Sequence, residues 1–183
     1  QEVRSILVVI EPSPDESLAL KRAKLIAGVT QAHLHLLICD KKHDHASMLS
    51  VLKSGLLADG FSVTTEQAWN DTLHDTIIEV QQAEGCNLVI KQHFNDNPLK
   101  KFLLTPDDWK LLRYCPGPVL MVKTDKPWTG GTILAAVDVG NADGEHRTLH
   151  TSIVSHGFDI AALAKAELHV ISAHPAPMLS AAD

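Results

Sequence analysis

No block of basic residues runs through this chain, which carries 16 Lys and Arg against 22 Asp and Glu, for a net charge of −6. Wholesale binding of nucleic acid is not expected on that balance. No apolar run approaches the length of a membrane span, and no signal peptide is expected ahead of Val3. Cysteine is limited to Cys39, Cys86 and Cys115, odd in number and widely spaced, which fits buried thiols in a reducing cytosol. Nucleophile elbow, Walker loop and Cys–His pairs of recognisable spacing are all absent, so catalysis finds no support. Ser13 follows a strand but reads as a helix cap.

What the chain does have is alternation. Its 183 residues are 45% hydrophobic, enough for one domain and a remainder. Ile6–Ile10 reads as a buried strand. Ser13-Pro14-Asp15-Glu16 forms a capping box with proline at the first helical position. Leu18, Ala19, Ala23, Leu25 and Ile26 supply the apolar face of the next helix, and Gly28 ends it. A second strand covers Leu34–Cys39. Met48–Ala58 reads as a helix stopped by Gly60, Phe61–Thr65 as a weaker strand, and Thr72–Glu84 as a helix closed by Gly85.

Leu88–Gln92 and Val119–Lys123 are short apolar runs suited to a parallel sheet covered on both faces. Between them Thr105 is an N-cap, Pro106 takes the first helical position, Asp107 and Asp108 follow, and the helix continues over Trp109–Tyr114 to Pro116-Gly117-Pro118. Strand and helix alternating in this way predict an α/β fold, a doubly wound five-stranded parallel sheet with helices on both faces.

Residues 124–131 read as a linker, after which the pattern starts again. Ile133–Asp138 echoes Ile6–Glu11, and Ala166–Ile171 echoes Ala32–Leu37, with a helical stretch over Glu145–Lys165 between. The expected division is a domain over 1–123, the linker, and an incomplete second copy over 132–183 that stops after strand, helix and strand. So short a remnant is expected to lean on the first domain or on another chain.

Thr105-Pro-Asp-Asp-Trp-Lys-Leu-Leu-Arg-x-Cys115-Pro, leading into a buried strand, resembles the last third of a universal stress protein domain, its tandem-domain members most of all. The resemblance covers nearly all of the first copy and the opening third of the second. It implies a Rossmann-like fold of the adenine nucleotide alpha hydrolase-like kind. ATP-binding members carry Gly-x2-Gly-x9-Gly-Ser/Thr before the helix. Those positions fall here on Gln92, Asn95, Thr105 and Pro106, so all three glycines and the hydroxyl are replaced. Asp107 and Asp108 add negative charge where a phosphate would otherwise sit. A charge pair about 4 Å apart at an effective dielectric of about 20 is worth roughly 4 kcal/mol, here repulsive toward phosphate. Lys100 and Lys101 could attract an anion, but read as solvated loop charges.

The resemblance further places a nucleotide-holding carboxylate after strand one, at Glu11 in the first copy and Asp138 in the second, and an adenine contact at the end of strand two, at Cys39 and Ala173. Both carboxylates have a plainer reading as strand-end groups. No cofactor is expected in the first domain, and the resemblance leaves ATP open only for the second domain of a longer chain. Among 11 histidines, His146 and His150 have a spacing that can hold zinc, Asp40, His43, Asp44 and His45 form a second cluster, and His33 and His35 share a strand face. None offers four ligands in register, and solvated histidines are the expectation.

The expected function is that of a non-enzymatic, cytoplasmic stress-response protein, whose domains pair or self-associate through the last strand. Two alternatives stand beside it. One is an ATP-dependent regulatory switch with its site in the second half. The other is a binder of a metal or of an apolar small molecule between Phe94 and Leu104.

Overall fold

The computed structural model describes residues 3–93, 104–122, 132–138 and 167–173. Among the described residues eleven elements follow in chain order: β1 (Ser5–Val9), α1 (Leu18–Thr30), β2 (His33–Cys39), α2 (Ala46–Ala58), β3 (Val63–Ala68), α3 (Leu73–Glu84), β4 (Leu88–Gln92), α4 (Pro106–Tyr114), β5 (Val119–Val122), β6 (Thr132–Asp138) and β7 (Glu167–Ala173). The first five strands form one parallel sheet in the order β3-β2-β1-β4-β5. Alternate side chains of each strand serve opposite faces. Ile6, Val8, Leu34, Leu36, Leu88 and Ile90 pack with Ala23 and Ile26 of α1 and Leu49 and Leu56 of α2. Leu7, Val9, Leu37 and Val89 pack with Ile77 and Val80 of α3 and Leu111 of α4. The sheet is therefore covered on both sides, which is why its central strands are apolar throughout.

β6 and β7 form a separate parallel pair. Ile133 stands opposite Leu168 there, as Ile6 stands opposite Leu34 in the larger sheet. The two sequence echoes thus share one pairing register. The linker over 124–131 and the helix expected over Glu145–Lys165 lie outside the described residues.

Several expected boundaries move. Helix α1 is capped by Ser17, whose side chain accepts from the Leu20 amide at 3.2 Å, and not by Ser13. Ser13 instead accepts from the Asp15 amide in a turn of its own, so Pro14 lies outside the helix. The helix also runs past Gly28 to Thr30 and ends where Gln31 turns left-handed, at φ 59°. Leu25, assigned to the buried face, is 59% exposed because Ala23, Ile26 and Ala27 already fill that face. Strand β3 begins at Val63, two residues later than expected, since the Leu34–Val63 pairing sets its register. Two expectations hold without adjustment: Gly85 closes α3 at φ 64°, and Thr105 caps α4 with Pro106 inside its first turn.

Candidate functional site

In a doubly wound sheet, ligands sit beyond the carboxyl ends of the strands at the point where the winding reverses, here between β1 and β4. The start of α4 faces that point, and three charged or titratable side chains converge beneath it. Lys91, on the α4 side of β4, puts its Nζ 2.9 Å from Oδ1 of Asp108. His93, just past the strand, puts its Nδ1 2.9 Å from Oδ2 of the same carboxylate. Asp108 is 1% exposed, Lys91 6% and His93 7%. Burial alone would raise the Asp108 pKa, but the bonds from His93 and Lys91 outweigh it and hold the carboxyl below its ordinary value. This carboxylate is internally compensated and points into the protein.

The remaining groups of the turn are also engaged. Asp107 Oδ1 accepts from His74 Nδ1 of α3 at 2.7 Å. The Asp108 amide, one of the helix-end donors available to a phosphate, is taken by Thr105 Oγ1 at 3.1 Å. Pro106 has no amide hydrogen to offer. Gln92 Oε1 accepts from the Leu18 amide at 3.1 Å and so ties the first turn of α1 to the end of β4. Asp107 and Asp108 thus do more than charge the start of their own helix. Each carboxylate joins α4 to another element, α3 in one case and β4 in the other.

Glu11 and Cys39 each lie two residues beyond the Val9–Leu37 pair, Glu11 past the end of β1 and Cys39 at the last residue of β2. Burial, and next the Glu11 charge, push the Cys39 thiol up to about 12. Burial likewise raises Cys86 and Cys115. None of the three carries the lowered pKa that marks a reactive thiol. In β6 and β7, Asp138 stands opposite Ala173 at the carboxyl end of the pair. Asn95, Phe94, Lys100, Lys101, His146 and His150 lie outside the described residues.

Of the loop cluster, His45 Nε2 lies 2.7 Å and His43 Nδ1 3.5 Å from Asp40 Oδ2. The His45 bond, followed by the Lys42 amide, lowers the Asp40 pKa. Asp44 turns away and accepts from the Ala46 amide instead. This is an ion-paired loop leading into α2, and the four side chains do not converge.

No family model matches the chain. Universal stress protein E of Escherichia coli strain K12 is 30% identical over 198 aligned residues, covering 94% of this chain and 62% of the relative. A Pseudomonas aeruginosa UCBPP-PA14 protein, whose crystal structure is provisionally described as a universal stress protein, is 70% identical with a TM-score of 0.76 over 96% of this chain and 63% of that one. The chain is thus similar to universal stress proteins along nearly its whole length. It spans about 62% of the length of the E-type relative. A universal stress protein crystallised with cAMP, 16% identical with a TM-score of 0.55 over 67% of this chain and 98% of that one, shares the fold. Among the described residues no helix is long and apolar enough to cross a membrane.

Sequence reasoning singled out Gln92, Thr105, Pro106 and Asp108 but missed Lys91 and His93 as their partners. A signal was present. Lys91 is a cation inside an otherwise apolar strand, and a buried cation requires a counter-charge. The aspartates of the following helix were the nearest candidates in the chain.

Proposed function

We propose that this chain is a non-enzymatic stress-response protein of the tandem universal stress type, whose five-stranded unit holds no nucleotide at the α4 turn. The observation that carries this reading is the buried Lys91–Asp108–His93 set. It spends the local cation on an internal partner, while Gln92 and Thr105 cover backbone donors that would otherwise be free. Phosphate binding in such folds relies on those donors and on close backbone approach. Isothermal titration of Mg·ATP tests the reading. No saturable heat is expected from this chain, and a one-to-one isotherm abolished by substitutions in the α4 turn would defeat it.

A second reading has its own support. Asp138 and Ala173 stand opposite each other, five residues past the Ile133–Leu168 pair, just as Glu11 and Cys39 lie five residues past the Ile6–Leu34 pair in the first unit. That favours an ATP-dependent switch, with the nucleotide in the second half of a longer protein. The family includes a member crystallised with cAMP, so adenine nucleotides are within the reach of its fold. Titrating ATP into a protein of the relatives' full length separates the readings, because binding there and not here assigns the site to the second half.

The proposed partner is a second domain of the same kind, with β5 as the docking edge. β5 closes one edge of the five-stranded sheet, and an edge strand offers unpaired backbone groups. Sedimentation velocity over a concentration series tests it. A species that stays monomeric throughout removes self-association through this edge.

A further inference from the structure

The opposite end of the sheet carries a different chemistry. β3 is the outer strand beside β2, and the register puts Thr64 opposite His35 and Glu66 opposite Leu37. Paired residues of parallel strands share a face. His35 and Glu66 therefore lie on the face covered by α3, whose last residue is Glu84. One ligand atom from each of His35, Glu66 and Glu84 lies within 4.8 Å of the others. We propose that these three side chains form a binding site for a divalent transition cation such as zinc, with its fourth position open to water.

The donor set suits such an ion, which takes imidazole nitrogen and carboxylate oxygen at about 2.0–2.2 Å in tetrahedral geometry. His35 is 4% exposed and already directs Nε2 at Glu66 Oε2, 2.8 Å away. A cation between them replaces the shared proton, which leaves to solvent on binding. Glu84 is exposed and closes the remaining distance by a change of rotamer. The cation also offsets the repulsion that two neighbouring carboxylates would otherwise feel.

A second observation concerns how the imidazole is held. Thr64 Oγ1 is 2.6 Å from His35 Nδ1 and 2.8 Å from His33 Nε2, and His33 Nδ1 is 2.6 Å from Ser62 Oγ. A metal-ligating histidine is commonly fixed by a bond on its other ring nitrogen. Here His35 Nδ1–H donates to Thr64, Thr64 donates to His33 Nε2, and His33 Nδ1–H donates to Ser62. Each hydroxyl and ring nitrogen has a consistent role when His33 is neutral. His33 is an orienting group in this arrangement and not a ligand.

The test uses the untagged full chain, with zinc in competition against a chromophoric chelator and cobalt as a spectroscopic stand-in. One saturable equivalent is expected, with a visible cobalt absorption typical of low coordination number. Glu66→Gln and Glu84→Gln should each weaken zinc by at least about tenfold, and Thr64→Val should weaken it while leaving all three ligands in place. His146→Ala/His150→Ala should leave the equivalent intact. Glu84 is exposed, so Glu84→Gln reads binding without risk to the core, and thermal melts of every variant confirm the fold. Absence of saturable binding, or a loss of less than about tenfold in Glu66→Gln or Glu84→Gln, overturns the proposal.

Discussion

The side-chain oxygen of Gln92 accepts the Leu18 amide hydrogen across 3.1 Å, so the end of β4 helps to cap α1. Gln92, where the family resemblance implies a glycine in ATP-binding members, here has a structural bond to make. Gln92→Ala should remove one helix-end acceptor and cost about 1 kcal/mol, the usual scale for a lost cap. Urea unfolding of the two proteins measures the difference. Equal midpoints would mean that Ser17 caps the helix unaided.

Asp108→Ala should cost about 3–5 kcal/mol, because it strands the Lys91 ammonium in the interior. The double variant Lys91→Met/Asp108→Leu should recover most of that loss, since a buried ion pair is seldom more stabilising than an apolar pair of similar volume. Chemical denaturation of both variants decides. If the double variant is no better than the single, the pair contributes more than mutual neutralisation.

Acid should weaken the fold, and the sign follows from the direction of the shift. The folded-state pKa of Asp108 is depressed below that of the unfolded chain. Its stabilisation is therefore present in full above the unfolded value of about 3.9 and is lost as pH falls from there through the folded value. Asp40, lowered chiefly by His45, acts in the same sense. Midpoints measured from pH 7 down to pH 3 should fall, and Asp108→Asn should show a shallower fall. A parallel decline in both proteins would exclude Asp108 as a source.

The thiols should be silent in the native state. Cys39, pushed up to about 12, and the raised Cys86 and Cys115 hold little thiolate at pH 8. A disulfide reagent should therefore titrate none of the three quickly in buffer and all of them in urea. Fast labelling of Cys39 in the folded protein would contradict its raised pKa.

Much of the architecture was legible because it rests on local rules. Thr105-Pro106-Asp107-Asp108 reads as a helix start from four adjacent residues, and it is one. Gly85 reads as a stop because a left-handed turn favours glycine. The start of α1 was misread because Ser13 and Ser17 both qualify as caps by residue type. What separates them is the Gln92 bond to Leu18, 74 residues distant and invisible to any local window. The His93–Asp108 contact was hidden in the same way, since the partners are 15 residues apart in the chain. His33 and His35 were seen to share a strand face, but Glu84 joins them only through the packing of α3.

The sequence by itself determined the order of strands and helices in the five-stranded unit and the two-sided burial of its sheet, because each depends on residue type and spacing along the chain. Only the tertiary structure decided where the charges of Asp107, Asp108, Glu66 and Glu84 are directed. The effect of a carboxylate is set by the cation, proton or solvent it meets through space, and that neighbour is chosen by the packing of elements far apart in the chain.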